Sequence, residues 1–370
     1  MSSGSRLYYI DNLRIFLIGL VVLHHFAITY GAPGDWYYNE SEAGFPEVLP
    51  MSMFVATNQS FFMGMFFFIS AFFILPSLKR KGTGRFIRER LIRLGIPLLV
   101  FFFFISPFTV FIIDHFIREK DAPLYEYILN GWGQGFGPLW FVEALLIFTF
   151  VFLLLRNTGI RFRIHFPGTT KIILFALVTG LSQFIIRIWL PVGWSMPFTN
   201  FQFPFFIQYI FLFALGIVAY QNNWLESVSF KTGKQWFLFA QVLVFILFPL
   251  MFISGGAAET GAGNFMGGFT WQSFAYATWE QLMCVSLVIG LFGISKKYVN
   301  HQGKTAEHLS ESAYGVFVFH TPVIVGISVF FAGWQLFPPF KLIALAPVAV
   351  GACFLTAWIV KQIPGIKKVL

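Results

Sequence analysis

The first apolar stretch of the chain, "IDNLRIFLIGLVVLHHF", carries residue types that are suited to chemistry: Asp11, Arg14, His24 and His25. Each residue of an α-helix turns about 100° and rises about 1.5 Å, so Arg14 and His25 share one face about 16 Å apart. Asp11 lies one turn before Arg14 and can hold that guanidinium by pairing with it. Imidazole takes up and releases protons near neutral pH. The spacing predicts that the Arg14 cation is aligned with His25 as a proton acceptor. The alternative is that Arg14 only orients the helix in the membrane and that His25 is a structural histidine bonded to a carbonyl.

Four other apolar stretches contain isolated ionisable residues, namely Glu143, Arg187, Glu280 and His320. Such groups are costly inside a membrane and are functional hypotheses by default. His320 lies two residues before Pro322, so it either serves in a site or caps carbonyl groups that the proline leaves without a donor. Each glutamate is either functional or protonated and structural. The histidines and cysteines lack the spacing of metal-ligand motifs, so we expect no metal site.

A basic segment, "LKRKGTGRFIRERLIRLGIP", packs seven cations and one acid, Glu89, into residues 79–93. Orienting a membrane helix needs far fewer charges. Arg85, Arg88, Arg90 and Arg93 recur through a predicted helix and bring several guanidinium groups to one membrane surface. Because guanidinium binds phosphate in a bidentate manner, the segment predicts a phosphate-rich cytoplasmic ligand.

The composition excludes a soluble protein, since 57% of the 370 residues are hydrophobic and only 11% are charged, against about 25% charged in soluble chains. Two cysteines exclude a disulfide scaffold. The apolar stretches are long and continuous, which predicts an all-α, polytopic membrane helical bundle rather than a barrel. We expect one integral-membrane domain over 1–370, with ten spans near 13–31, 53–78, 94–117, 138–156, 172–190, 204–222, 236–254, 271–293, 313–332 and 340–360.

The distribution of Lys and Arg predicts that both termini are cytoplasmic, because this orientation places 21 of the 25 cations inside. The four outer cations are Arg118, Lys120, Arg187 and Lys341. Lys341 and Asp114 lie near the ends of their spans, where we expect snorkelling or solvation to accommodate them. The net charge of +9 follows from this bias and from contact with anionic lipids, so no nucleic-acid partner is predicted.

An ordered set of motifs resembles the integral-membrane acyltransferase-3 family, and most closely its branch of glucan biosynthesis protein C-like proteins. The set extends over nearly the whole chain and comprises "IDNLR" with His25 after a ten-residue gap, "FFFISAFFI" at 66–74, "RFIRERLIRLGIP" at 85–97, "GPLWFVEALLIF" at 137–148, "YATWEQLMC" at 276–284 and "SAYGVFVFHTPV" at 310–323.

The resemblance implies a membrane O-acyltransferase that moves an acetyl or succinyl group from cytoplasmic acyl-CoA to a hydroxyl of an extracytoplasmic acceptor, such as a cell-envelope carbohydrate. It also implies a location in the bacterial cytoplasmic (inner) membrane. His25 would be the base or an acylated nucleophile, with Arg14 guiding the donor. The other implied roles are catalysis or orientation for His320 and Glu280, CoA binding for Arg85, Arg88, Arg90 and Arg93, and acceptor binding for Glu143, Trp140 and Trp36.

A secondary transporter or flippase is the alternative function, because ten helices with buried charges also suit a substrate path. Transporters commonly contain inverted repeats and paired broken helices, and the sequence displays neither. Transport also leaves the cytoplasmic arginines unexplained. A catalytically inactive sensor that only binds a ligand is a further alternative.

Overall fold

The computed structural model describes residues 6–41, 44, 48–156 and 164–370. Within these ranges ten helices are long and apolar enough to cross a membrane, which confirms the predicted helical bundle. They are α1 (Tyr8–Thr29), α2 (Val48–Lys81), α3 (Thr83–Phe116), α4 (Gly137–Leu155), α5 (Thr169–Arg187), α6 (Phe203–Gln221), α7 (Phe230–Ser254), α8 (Trp271–Tyr298), α9 (Lys304–Phe330) and α10 (Pro338–Lys361).

Helix α1 begins five residues before the predicted span because its polar first turns find partners. Asp11 accepts hydrogen bonds from Arg6 at 2.8 Å and from Arg14 at 3.3 Å. The Asn12 amide donates to the carbonyl groups of Val299 and His301, beyond the end of α8. Satisfied polar groups allow the helix to extend past the apolar run that hydropathy detects.

Two wide π-type turns interrupt α3, at Leu91–Gly95 and at Phe101–Ile105. Each is followed by a proline, Pro97 and Pro107, which has no N–H to donate to the carbonyl four residues earlier. The wide turns rearrange the hydrogen bonds around those carbonyls. The first of them contains Arg93, so the basic segment continues directly into the membrane helix.

Helix α8 forms the centre of the bundle, since 72% of its apolar window is buried, more than in any other span. It packs against α2, α5 and α7. Glycines allow close approach: a Cβ on Gly233 would lie 2.7 Å from Cα of Gly293 across the α7–α8 contact. Small residues at such crossings are typical of membrane helices.

Buried ion pairs correct the expectation that Lys341 and Asp114 are solvated at span ends. The Lys341 side chain is 1% exposed, and its ammonium donates to the Glu40 carboxylate in the loop after α1. The Asp114 side chain is 6% exposed and accepts from Arg118 at 2.7 Å and from Lys120 at 2.9 Å. Protein partners, rather than water, therefore neutralise both groups.

Candidate active site

Three aromatic rings stack at the end of α1 that leads into the loop before α2. The imidazole of His25 lies face to face with the indole of Trp36, with centroids 4.0 Å apart and planes 17° apart. His320 of α9 lies 5.4 Å from His25 and 5.9 Å from Trp36, again nearly parallel. The structure thus brings together the two histidines that the sequence places about 300 residues apart.

The hydrogen bonds of His320 determine which of its nitrogens carries the proton. Its Nδ1 lies 2.7 Å from the carbonyl oxygen of Phe317, and a carbonyl can only accept. In the neutral ring, Nε2 is then the acceptor. Among the described residues, neither Nε2 of His320 nor Nδ1 of His25, both buried, has a hydrogen-bond partner. Buried polar atoms without a partner are uncommon in folded proteins, and a ligand that supplies the missing hydrogen bonds is one explanation.

The loop segment that carries Trp36 is held at several points. The Glu40 amide donates to the Thr29 carbonyl at 2.8 Å, and the Glu40 carboxylate accepts from Lys341. The hydroxyl of Tyr37 lies 2.8 Å from that of Ser106 in α3. Burial raises the pKa of Tyr37, so its hydroxyl stays neutral. These contacts fix the indole over His25.

A cavity of about 610 Å³, its open mouth included, reaches His25. Its lining mixes aromatic rings, carboxamides, hydroxyls and one carboxylate, contributed by His25, Asp35, Trp36, Tyr37, Gln134, Gly137, Pro138, Trp140, Ser195, Asn200 and Gln202. This combination, apolar faces with a few converging polar groups, is typical of small-molecule sites.

Tight turns shape the rim of this cavity. Gly137 has φ +46°, and its N–H donates to the Asn200 side chain at 2.8 Å. A Cβ at Gly137 would lie 2.6 Å from the Tyr37 hydroxyl. Phe198 and Asn200 also adopt positive φ, at 64° and 56°. Such conformations are strained for side-chain-bearing residues and often occur at functional sites.

Near the opposite end of α1, Arg14 lies close enough to Arg90 and Arg93 of α3 for their charges to interact. Tyr314 of α9 is beside the same pair, and its buried hydroxyl has no hydrogen-bond partner in the described part of the chain. Three guanidinium groups with one adjacent carboxylate, Asp11, form a suitable anion site. We call Arg14, Arg90 and Arg93 the arginine cluster.

The other two basic candidates lie differently. Arg85 pairs with Glu89 at 2.8 Å, and Glu89 also accepts from Lys81. Arg88 is exposed. The segment therefore separates into an exposed, largely self-paired part and the part that approaches α1.

Glu280 lies in a polar group outside the cavity lining. Its carboxylate pairs with Arg187 and accepts from Gln183 at 2.7 Å, and Gln281 donates to Gln183 at 2.5 Å. The Arg187 and Glu280 side chains are 0% and 1% exposed. Tyr209, whose hydroxyl is close enough to Glu280 to interact with its charge, stacks on Trp140 of the cavity lining at 5.4 Å.

Glu143 and His24 also lie outside the cavity lining. Glu143 is half-buried in the first turn that follows Trp140, and its Oε2 has no hydrogen-bond partner among residues 6–41, 44, 48–156 and 164–370. His24 is buried, with its ring at 88° to that of His25 and 5.1 Å from Phe62. No group of three His, Cys, Asp or Glu residues suited to a metal occurs in the described ranges.

Five polar residues of the cavity were not predicted from the sequence: Asp35, Gln134, Ser195, Asn200 and Gln202. Gln134 ends a single 3-10 turn, and the other four lie in loops. Loops have no periodicity from which a lining position can be predicted. The glycines near Gln134 were the available sequence signal for a tight turn at this place. Two of them, Gly135 and Gly137, do adopt positive φ.

Known proteins resemble this chain over most of its length. The sequence model of the acyltransferase-3 family, described as an acyltransferase domain, matches residues 7–358. Glucans biosynthesis protein C of Escherichia coli O1:K1 / APEC is 22% identical over 347 residues, covering 86% of this chain and 82% of the relative. The protein of the same name from Escherichia coli strain K12 has the same identity and coverage. No solved structure matches. With ten membrane-type helices and a family match over nearly its whole length, the chain belongs to the acyltransferase-3 family of membrane acyltransferases.

Proposed function

We propose that this acyltransferase moves an acetyl or succinyl group from cytoplasmic acyl-CoA to a hydroxyl of an extracytoplasmic carbohydrate in the bacterial cell envelope. The observation that carries the proposal is the pairing of two sites on α1. A cavity that is lined by His25, with His320 stacked on that imidazole, lies near one end, and the arginine cluster lies near the other. Acyl transfer from one side of a membrane to the other needs a donor site and an acceptor site, and α1 contributes a residue to each candidate.

The arginine cluster supports an anionic donor. CoA carries a pyrophosphate and a 3′-phosphate, which guanidinium groups bind through paired hydrogen bonds. Arg90 and Arg93 would hold these phosphates, with Arg85 and Arg88 attracting them from the exposed part of the segment. The pantetheine arm would then extend along α1 past Arg14 toward His25, about 16 Å away by the helix rise.

The chemistry at His25 is general base catalysis. The acceptor hydroxyl attacks the thioester carbonyl as the imidazole removes its proton, so a C–O bond forms and the C–S bond breaks. The CoA thiolate leaves and recovers the proton from the imidazolium. His320, stacked 5.4 Å away, would orient His25 or hold the acceptor. Transfer through an acyl-histidine intermediate would form and break the same bonds overall, in two steps.

The cavity lining supports a neutral, hydroxyl-rich acceptor. Its carboxamides and hydroxyls can hydrogen-bond to sugar hydroxyls, and Trp36 and Trp140 offer apolar ring faces. Asp35 is the one carboxylate and His25 the one imidazole of the described lining, which contains no Lys or Arg. A phosphate-bearing acceptor would therefore meet a carboxylate without a compensating cation.

The test uses purified protein with labelled acetyl-CoA or succinyl-CoA and a neutral glucan acceptor. His25→Ala should lower transfer by about 10²–10⁴-fold, the usual contribution of a general base. His24→Ala is the matched control, because His24 neighbours His25 yet lies outside the cavity lining. Full activity in His25→Ala would refute the assignment of the base.

Donor binding is tested separately by equilibrium binding of labelled acyl-CoA. Arg90→Ala and Arg93→Ala should weaken binding, whereas Arg85→Ala should act less strongly because Arg85 is already paired with Glu89. Equal binding by all variants would refute a CoA site at the cluster. Movement of unmodified acceptor across a sealed membrane, without acyl transfer, would favour the transporter alternative.

A further inference from the structure

A second cavity lies away from the stacked histidines, at the end of the bundle where α5 begins and α6 and α8 end. It has a volume of about 930 Å³, open space at its mouth included. Its walls come from α2, α5, α6 and α8 and from the segments 164–167 and 224–228. The predicted orientation places it in the cytoplasmic half of the membrane.

The walls of this cavity are almost entirely hydrocarbon. Fifteen of the sixteen lining residues are apolar, with phenylalanines such as Phe68, Phe175 and Phe292 and branched side chains such as Ile289. The indole N–H of Trp224 already donates to the Ile164 carbonyl at 2.7 Å. A bound water needs two to four polar partners, and this surface does not supply them. Apolar cavities of this kind stay dry or take up apolar ligands.

Lys171, on the first turn of α5, is the single charged residue of the lining. It is exposed, and its ammonium forms no ion pair with any carboxylate in the described part of the chain. A free cation beside a hydrocarbon pocket complements a molecule with an anionic head and an apolar tail. In the cytoplasmic leaflet, that description fits an anionic phospholipid.

We propose that this cavity binds one acyl chain of an anionic phospholipid from the cytoplasmic leaflet, with the head-group phosphate on Lys171. The acyl chain would fill the space that the side chains of α5, α6 and α8 leave between them on this side of the bundle. This binding does not depend on the proposed acyl transfer, because the cavity lining shares no residue with that of His25.

Native mass spectrometry tests the proposal on the full chain, purified in the presence of equal amounts of phosphatidylglycerol and phosphatidylethanolamine. The unmodified protein should retain one phosphatidylglycerol molecule. Lys171→Ala should lower the preference for phosphatidylglycerol about 5-fold, since one lysine near a membrane surface contributes about 1 kcal/mol. Ile289→Trp should fill the cavity and abolish retention of either lipid.

Two matched variants serve as controls. Lys234→Ala removes an exposed lysine of α7, and Leu174→Trp adds an indole to a side chain of α5 that is 60% exposed; neither residue lines the cavity. Both should retain lipid as the unmodified protein does. An unchanged lipid preference in Lys171→Ala, or unchanged retention in Ile289→Trp, would overturn the proposal. Lys171→Ala leaves the packing intact, so its outcome stands even if Ile289→Trp fails to fold.

Discussion

Replacing Glu280 by glutamine should destabilise the protein more than replacing Arg187 by methionine. The two side chains form an ion pair with exposures of 0% and 1%. In Glu280→Gln, the Arg187 guanidinium loses its counter-ion. It keeps neutral contacts alone: the new amide oxygen, the Pro204 carbonyl at 3.4 Å, and the ring faces of Phe205 and Tyr276 at 4.9 and 5.6 Å, among the described residues.

The magnitude follows from the chemistry of the group that is left behind. Arginine does not deprotonate in proteins, so Glu280→Gln leaves a buried charge and should cost about 3–5 kcal/mol. In Arg187→Met, the remaining carboxylic acid can bind a proton and stay neutral, which lowers the penalty. The double variant, Arg187→Met with Glu280→Leu, should recover much of the stability because no charge remains.

Thermal unfolding of the purified proteins tests this prediction. The Tm should fall from the unmodified protein to Arg187→Met and should be lowest in Glu280→Gln. Acyl transfer by each variant at a temperature where it is folded completes the test. A Glu280→Gln protein as stable as the unmodified one, but inactive, would refute the structural interpretation. It would then favour the role in the reaction that the sequence predicts for Glu280.

Two further substitutions test how the loops hold the site. Trp36→Ala should lower kcat up to about ten-fold, because a stacked ring pair contributes about 0.5–1.5 kcal/mol beyond its buried area. Trp36→Phe should retain most activity because it keeps an aromatic ring. Equal activity of both variants would contradict a stacking role. Gly137→Ala should destabilise the protein by about 1–3 kcal/mol, since a side chain there would combine a positive φ with a clash against Tyr37. Gly133→Ala is its control in thermal unfolding, with nothing within 4 Å of the added Cβ.

Local features of the fold could be predicted from the sequence. Long apolar runs located all ten helices, because each must satisfy its backbone within itself and present hydrocarbon to lipid. The rotation of about 100° per residue predicts that Arg14 and His25 share one face of α1, and this prediction needs no tertiary information. The predicted pair of Asp11 and Arg14 forms. The predicted span began only at residue 13, because the partners of Asn12, the carbonyl groups of Val299 and His301, are distant in sequence.

Contacts between distant parts of the chain could not be predicted in this way. Arg187 pairs with Glu280 and Lys341 with Glu40, which lies 301 residues earlier. Hydropathy detects such charges but contains no information about their partners. The stacking of Trp36 on His25 likewise depends on a loop that other helices hold in place.

The buried ion pairs have a consequence for how the chain inserts into a bilayer. In the orientation that the sequence predicts, with both ends in the cytoplasm, all four cations on the outer side have a carboxylate partner: Arg118 and Lys120 share Asp114, Arg187 has Glu280, and Lys341 has Glu40. These paired groups carry four positive and three negative charges, a net of one, so moving them across the membrane together transfers little charge against the membrane potential. In that orientation, unpaired positive charge would be more strongly confined to the cytoplasmic side than the count of lysines and arginines alone indicates.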